Sequence, residues 1–228
     1  MSEAPLSSSL VSRWVRSANF NDRRTPLDTI ILHYTGMENA EVALERLCDR
    51  EAQVSAHYVV LEAGDVIQMV DERKRAWHAG LGYWHAERDI NSASIGIEIV
   101  NGGHDFGLPP YPDTQIEAVI ALVRDLMGRH GIGVERVIGH SDIAPERKDD
   151  PGEHFPWERL ARAGAARALP KGRGAETFDV RSVLTSLGYD PQAKLSACVK
   201  AFQRRWLPER VSGELDAETR RCLSLFAH

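Results

Sequence analysis

The chain has 228 residues, of which 43% are hydrophobic and 27% charged, ordinary values for a globular protein that can bury a sizeable core. Its formal net charge of −5 and its pI of about 6.0 argue against a nucleic-acid-binding protein, because such proteins carry a basic surplus on their binding face. No stretch approaches the roughly 18–20 apolar residues of a membrane helix, so we expect no transmembrane segment.

The three cysteines, Cys48, Cys198 and Cys222, lie far apart and do not form a disulfide framework. Reduced thiols are typical of a reducing compartment, and the first residues lack the charged and apolar segments of a secretory signal. We therefore expect a cytoplasmic protein, or a periplasmic or outer-membrane-associated one if a leader has been removed. The sequence does not indicate an oligomeric state.

The first half of the chain predicts a strand, a helix and a hairpin. Residues 29–34 are apolar and β-branched and predict a buried strand that ends at Thr35 and Gly36. Residues 38–50 predict a helix. Residues 57–61 and 66–70 predict two strands joined by a tight turn.

The segment from Ser94 to Val100 alternates strictly between two kinds of side chain. Three isoleucines at positions 95, 97 and 99 share one face, whereas Ser94, Gly96 and Glu98 share the other. An acid in the middle of a strand, beside small neighbours, indicates an open cleft on that face.

A long helix follows, capped by Asp113 or Thr114 and ending near His130, and a short strand over 134–139 delivers His140 to a loop. Alternating strands and helices predict an α/β domain with a mixed central β-sheet flanked by helices. We expect this domain to span residues 1–165. An Ala-, Gly- and Arg-rich linker over 166–176 then leads to a small all-α module of three helices over 177–228.

Two histidines and one aspartate are candidate ligands for a divalent metal. His33 and His140 both leave strands, and Asp150 lies before a Pro-Gly pair close in sequence to His140. A catalytic zinc takes three nitrogen or oxygen ligands and keeps a fourth position open. Taken singly, each histidine is more simply read as a packing or capping residue, and it is the combined pattern that favours a metal site.

Four motifs stand in order along the first two thirds of the chain, namely Ile31–Thr35, Ala76–Gly80, Ser94–Glu98, and Gly139–Ile143 continuing to Lys148–Gly152. By these motifs the chain resembles family-2 N-acetylmuramoyl-L-alanine amidases over roughly residues 10–160. The resemblance implies a mixed sheet flanked by helices with one zinc ion in a groove. It also implies hydrolysis of the amide between the lactyl group of N-acetylmuramic acid and L-alanine, in peptidoglycan or its muropeptide fragments.

The resemblance also assigns roles to residues. By position, His33, His140 and Asp150 match the zinc ligands, Glu98 matches the catalytic acid and Lys148 a cationic helper. General chemistry is consistent with these roles, because an amide is a poor electrophile and water a poor nucleophile at neutral pH, and zinc counters both. His78 and Asn101 correspond to family positions that line the groove, and Tyr34 is expected to line it because it lies beside the ligand His33, so we expect all three to contact substrate.

Three alternatives stay open. His57 fits either a family-like groove position or a buried, hydrogen-bonded histidine. The C-terminal module resembles a peptidoglycan-binding domain, and it either binds the wall or covers part of the catalytic domain. A non-catalytic peptidoglycan sensor is the rival to an enzyme, although the complete residue set favours the enzyme. An ordinary zinc peptidase is disfavoured, because the sequence lacks a His-Glu-x-x-His motif.

Overall fold

The computed structural model describes residues 4–227. Residues 1–3, on which the expected lack of a leader rests in part, lie outside that range. The cellular location stays a prediction. Among the described residues, every helix is too short or too polar to cross a lipid bilayer.

A six-stranded sheet forms the centre of the fold, in the order β1-β5-β4-β7-β3-β8, and a two-stranded ribbon of β2 and β6 lies beside it. The strands are β1 (Arg13–Trp14), β2 (Phe20–Asp22), β3 (Thr29–Tyr34), β4 (Tyr58–Val60), β5 (Val66–Gln68), β6 (Lys74–Ala76), β7 (Ser94–Ile99) and β8 (Val137–Gly139). In the central sheet, β4 and β5 are antiparallel, as the predicted hairpin requires, and the other neighbouring pairs are parallel. The predicted mixed sheet is thus confirmed.

The helices flank the sheet. They are α1 (Ala40–Cys48), α2 (Ile90–Ala93), α3 (Asp113–His130), α4 (His140–Ile143), α5 (Trp157–Arg162), α6 (Val180–Leu187), α7 (Leu195–Trp206) and α8 (Ala217–Ser224). The predicted cap of the long helix is wrong, because Pro112 holds the N-cap position of α3 and Asp113 already lies in its first turn. The strand predicted over 134–139 is also shorter, because Val134–Arg136 form a 3₁₀ turn.

One face of the sheet is largely apolar. The alternation of β3 and β7 turns Ile30, Leu32 and the three isoleucines of β7 towards the long helix α3, and all of them are fully buried. This face is a continuous core, because its strands present one apolar residue at every second position.

The opposite face is divided. One apolar cluster contains Val59 and Ile67 and packs under α1, and a second contains Ile31 and Ile138 and packs under α6, α7 and α8. Between the two lies a polar strip formed by every second residue of β7. This strip is where the functional residues gather.

The three helices predicted for residues 177–228 are present, and residues 163–179 before them form neither helix nor strand. The helices share one hydrophobic cluster with the sheet, in which Val183, Leu184 and Phe202 are buried together with Ile31 and Ile138. Because this core crosses the expected boundaries at 165 and 176, the division into separate domains stays a prediction.

Candidate active site

His33 and Glu98 are neighbours across two parallel strands. They are register partners of β3 and β7, on the face that carries the polar strip. His33 is 1% exposed and Glu98 lines a groove of about 440 Å³ that opens above the strip. The predicted open cleft on the Glu98 side of β7 is therefore present.

His140 is positioned by a turn of helix that starts directly at the end of β8. The Asp142 carboxylate accepts a hydrogen bond from the Gly139 N–H at 2.9 Å, which closes the first turn of α4. The Ser141 N–H donates to the Asp150 carbonyl, also at 2.9 Å, and joins the two ligand-bearing segments. The backbone therefore holds His140 and Asp150 close together independently of the contact between their side chains.

Three side-chain atoms meet in a nearly equilateral triangle. The His33 Nδ1 lies 2.9 Å from the His140 Nδ1, and each of these nitrogens lies 3.0 Å from the Asp150 Oδ2. All three residues are buried and all three line the groove. Among the described residues, this is the one group of His, Cys, Asp or Glu side chains arranged to hold a metal ion.

The charges of the group suit a cation. Burial, and then the nearby His140, lower the pKa of His33 to about 4, so its ring is neutral at neutral pH. Burial alone would raise the pKa of Asp150, but His140 and His33 outweigh it and hold that pKa well below its usual range. An ionised carboxylate and a neutral imidazole are the protonation states that metal binding requires.

The donor set fits zinc. The His140 Nε2 donates to the Ala79 carbonyl at 3.0 Å, an arrangement that leaves Nδ1, the atom in the triangle, as the ring nitrogen available to a metal. Ligand atoms around a tetrahedral zinc lie roughly 3.3 Å apart, given bonds of about 2.0–2.1 Å. The observed separations of 2.9–3.0 Å are close to that value.

Glu98 has an unusual environment for a carboxylate. Its Oε2 is buried and has no hydrogen-bond partner among the described residues. Burial, followed by the charge of Asp150, raises the pKa of Glu98 well above its usual value, and Lys148 opposes that rise. An unpartnered buried carboxyl group costs stability, and such a cost is typical of functional sites.

Lys148 lies on the same groove as Glu98, on the loop that leads to Asp150. Its neighbour Arg147 also lines the groove and was missed from sequence. The Arg147 guanidinium donates to the carbonyls of Ala79 and Leu81 at 2.9 and 2.5 Å. The groove therefore has two cationic side chains on one side.

Tyr34 lines the groove as expected, and its hydroxyl lies 3.0 Å from the His104 Nδ1. The other His104 ring nitrogen lies 3.1 Å from a carboxylate oxygen of Glu153. Gly103 allows this approach, because a Cβ at that position would lie 2.6 Å from the tyrosine ring. His104 had no predicted role, since it lies in a short loop without a recognisable pattern.

The other two predicted substrate contacts differ from Tyr34. Asn101 is not among the described residues that line the groove, and its amide donates to the Pro109 carbonyl and accepts from the Gly103 N–H, which favours a role in shaping the loop. His78 lines the groove but is 9% exposed and lies 3.0 Å behind His33. The substrate contacts of both residues stay predictions.

His57 takes the second of its two expected roles. Its ring is fully buried, its Nδ1 accepts from the Gly96 N–H at 3.0 Å, and its Nε2 donates to the Lys74 carbonyl at 2.9 Å. His57 therefore supports the strands beneath the groove rather than lining it.

The C-terminal helices and the turn after α6 contact the loops that carry the metal-site residues. The Tyr189 hydroxyl donates to Asp142 at 2.6 Å, and Arg205 lies 3.4 Å from the same carboxylate. The Arg204 guanidinium donates to Asp149 at 2.5 Å, next to Asp150. Tyr189, both arginines and Asp142 are buried, whereas Asp149 is about half exposed, so the contacts to Asp142 are the ones shielded from solvent.

The sequence model of the N-acetylmuramoyl-L-alanine amidase family matches residues 23–153, which include the whole triangle, Glu98 and Lys148. The chain belongs to that family. This amidase is 35% identical to the N-acetylmuramoyl-L-alanine amidase AmiD of Escherichia coli, over 85% of this chain and 79% of AmiD. It is also 43% identical to the 1,6-anhydro-N-acetylmuramyl-L-alanine amidase AmpD of Enterobacter cloacae, over 47% of this chain and 55% of AmpD.

Solved structures agree with this assignment. The amidase superposes on E. coli AmiD, in a complex with the substrate anhydro-N-acetylmuramic acid-L-Ala-D-γ-Glu-L-Lys, with a TM-score of 0.76 and 33% identity. That match covers 90% of this chain and 91% of AmiD. Pseudomonas aeruginosa AmpDh3 gives the same TM-score at 28% identity, over 88% of this chain and 90% of AmpDh3. The predicted enzyme class is thus confirmed: the chain is an N-acetylmuramoyl-L-alanine amidase.

Proposed function

We propose that this amidase holds one zinc ion between His33, His140 and Asp150 and hydrolyses (anhydro-)muramyl peptides with Glu98 and Lys148. The bond cleaved joins the lactyl group of N-acetylmuramic acid to L-alanine of the stem peptide. The observation that carries the proposal is the triangle of ligand atoms, 2.9–3.0 Å apart, which faces the same groove as Glu98. The substrate described for AmiD supports a muropeptide for this chain as well.

The ion would supply Lewis acidity, which makes water more acidic and polarises a carbonyl group. The chain supplies the proton transfers. Glu98 lines the groove and its buried Oε2 has no hydrogen-bond donor among the described residues, so the carboxylate is free to take a proton from the attacking water. The same carboxyl group then returns the proton to the nitrogen of L-alanine as the amide bond breaks. Its raised pKa suits a group that must both accept and release a proton near neutral pH.

Lys148 stabilises the negative charge that develops on the amide oxygen. Its side chain lines the groove two residues before Asp150, on the same loop, and its charge acts on both His33 and Glu98, which supports a role beside the reacting carbonyl. A fixed positive charge in a site that is shielded from water is worth more than the same charge in solution. Arg147, held by two backbone carbonyls, adds to the positive potential of this wall.

A non-catalytic peptidoglycan sensor would need the groove, but it would not need a carboxyl group at position 98 with a buried oxygen that has no hydrogen-bond partner among the described residues. A buried carboxyl oxygen without a partner destabilises the fold. In a protein that only binds, a glutamine or an apolar residue would serve better at this position. The cost of Glu98 therefore supports catalysis.

For residues 177–228 we propose a bracing role rather than a flexible tether. Tyr189, Arg204 and Arg205 reach the loops of the metal site, and α6–α8 share a hydrophobic cluster with the sheet. The resemblance to a peptidoglycan-binding domain rests mainly on core and turn positions, so wall binding stays a prediction.

The decisive experiment uses the full chain with a 1,6-anhydro-muropeptide and, separately, with intact sacculi. Zinc content is measured by elemental analysis, and products are identified by mass spectrometry with and without chelator. We expect about one zinc per chain and an intact stem peptide that begins at L-alanine, lost on chelation and restored by zinc. Active protein without bound metal, or cleavage at another bond, would overturn the proposal.

A further inference from the structure

A second layer of polar residues lies behind the two histidines of the metal site. The His33 Nε2 lies 3.0 Å from the His78 Nδ1, and the His78 Nε2 lies 3.2 Å from the Ser94 hydroxyl. The Ser94 hydroxyl in turn lies 2.5 Å from the Ile90 carbonyl. These contacts form a continuous chain from His33 to the backbone of α2, and every side chain in it is buried.

The hydrogen bond between Ser94 and Ile90 determines which group donates and which accepts in every other hydrogen bond of the series. A carbonyl oxygen only accepts, so Ser94 donates its single hydroxyl proton to the Ile90 carbonyl. Its oxygen must therefore accept from the His78 Nε2–H. His78 is then unprotonated at Nδ1 and accepts from the His33 Nε2–H. A neutral His33 ring with its proton on Nε2 keeps its lone pair on Nδ1, the atom that faces His140 and Asp150.

The strand beneath is shaped to hold His78. A Cβ at Gly96 would lie 2.3 Å from the His78 ring, so the ring lies directly over that glycine, between Ser94 and Glu98 on the same face of β7. The glycine at position 96 therefore leaves the space that the His78 ring occupies, since a larger side chain there would displace His78 from His33.

The backbone of the same segment orients the second histidine. The Asn91 side-chain oxygen accepts hydrogen bonds from the N–H groups of His78 and Ala79 at 3.0 and 2.8 Å. The Ala79 carbonyl accepts from the His140 Nε2–H at 3.0 Å. Two adjacent residues therefore hold both metal-site imidazoles from behind, one through its side chain and one through its backbone.

We infer that His78 and Ser94 are positioning residues, which act through His33 by fixing its ring and its tautomer so that Nδ1 faces the metal. His78 thereby gains a role that differs from the substrate contact expected from its motif. This inference rests on the proposed function, because it assumes that the triangle holds zinc. Hydrogen-bond partners behind a ligand histidine typically change metal affinity by about 10–100-fold when they are removed.

The test measures zinc affinity by competition with a chelator, in four variants of the full chain. His78→Leu removes the acceptor, whereas His78→Asn keeps an acceptor oxygen near the position of Nδ1. Ser94→Ala removes the anchor. Ser17→Ala is the matched control, because Ser17 is also buried and donates to a carbonyl, that of Leu47 at 2.6 Å, but takes no part in the hydrogen bonds of the metal-site histidines.

We expect His78→Leu to weaken zinc binding by about 10–100-fold, Ser94→Ala to weaken it less, and His78→Asn to recover most of the affinity. Ser17→Ala should bind zinc like the wild type. The second readout is the long-range ¹H–¹⁵N spectrum of the metal-free protein, which distinguishes the two neutral tautomers. His33 should carry its proton on Nε2 in the wild type and shift towards Nδ1 in His78→Leu, where Asp150 becomes the acceptor.

Wild-type affinity together with an unchanged His33 tautomer in His78→Leu would overturn the inference. If His78→Leu does not fold, the same result in Ser94→Ala would overturn it. Failure of the wild type itself to bind zinc would instead count against the proposed function, so the two failures are distinguishable.

Discussion

The Tyr189 hydroxyl donates a 2.6 Å hydrogen bond to the Asp142 Oδ1, and the other oxygen of that carboxylate accepts from the Gly139 N–H. Tyr189 lies two residues after the end of α6, and Asp142 lies two residues after His140. The Asp142 carboxylate therefore closes the helical turn that carries a metal-site histidine. It also connects that turn to the C-terminal helices, because it accepts the hydrogen bond from Tyr189. Both residues are 2% exposed, so water does not replace the bond easily.

Tyr189→Phe should destabilise the protein by about 2 kcal/mol, because hydrogen bonds to charged groups contribute roughly 1.5–3 kcal/mol and Asp142 loses a donor. Urea unfolding measures the change. Tyr83→Phe is the control, since the Tyr83 hydroxyl has no hydrogen bond within residues 4–227, and its loss should change stability little. Equal unfolding midpoints for the two variants would show that the Tyr189 bond is not a structural link.

Removal of residues 177–228 should destabilise the catalytic part rather than merely detach it. The cut exposes the sheet residues Ile31 and Ile138, which are at most 1% exposed in the full chain, together with the rest of their cluster. We expect a lower melting temperature and aggregation on gel filtration. A shortened chain that stays folded and active on muropeptides but no longer binds sacculi would support a tethered wall-binding module instead.

Glu98→Gln should lose about 10²–10⁴-fold in kcat while its zinc content stays at the wild-type level. The amide has the shape of the carboxyl group but cannot carry the proton from water to the leaving amine. Steady-state kinetics and elemental analysis on the same sample measure both quantities. Glu62→Gln, in the exposed turn between β4 and β5, is the control. Retained turnover would remove Glu98 from the mechanism.

Lys148→Ala should lower kcat by about 10²–10³-fold, because one preorganised group that stabilises the developing negative charge is lost. KM should change less, since the charge develops mainly in the transition state. Lys171→Ala, exposed in the segment before α6, is the matched control. A rise in KM with an unchanged kcat would assign Lys148 to substrate binding only.

Glu72→Gln should destabilise the protein by about 3 kcal/mol at pH 7, since it breaks a buried ion pair on one side. Burial alone would raise the pKa of Glu72, but hydrogen bonds from Arg129, His130 and Tyr58 outweigh it and lower that pKa to about 2. A lowered pKa means that the stabilisation is complete above the unfolded-state value near 4.5 and disappears as the pH falls towards 2.

The difference in unfolding free energy between wild type and Glu72→Gln should therefore narrow as the pH falls from about 4.5 towards 2. Asp125→Asn is the control for this pair. It removes the other carboxylate that Arg129 contacts, at 2.9 Å, but in a partly exposed position, and should cost only about 0.5 kcal/mol. A gap that does not change with pH would mean that the Glu72 charge is not what stabilises this contact.

The sequence alone determined the strands β3 and β7 that carry the site, the alternating face of β7 and the kinds of side chain on it, whereas β1, β2 and β6 were not predicted. Period-2 alternation assigns each residue of a strand to one face, which is why the pattern of residues 94–100 was enough to assign Glu98 to a cleft. The order of the motifs also predicted the family. These features depend on local pattern or on residue identity at a few positions.

Only the tertiary structure decided which distant residues form hydrogen bonds with those side chains. The partner of His33 at His78 lies 45 residues away, that of Asp142 at Tyr189 lies 47 residues away, and that of Tyr34 at His104 lies 70 residues away. A local pattern gives the face of a strand but not the loop that packs against it. Which polar atoms satisfy one another follows from how the loops and the C-terminal helices close over the sheet, and that closure is set by burial of the whole core.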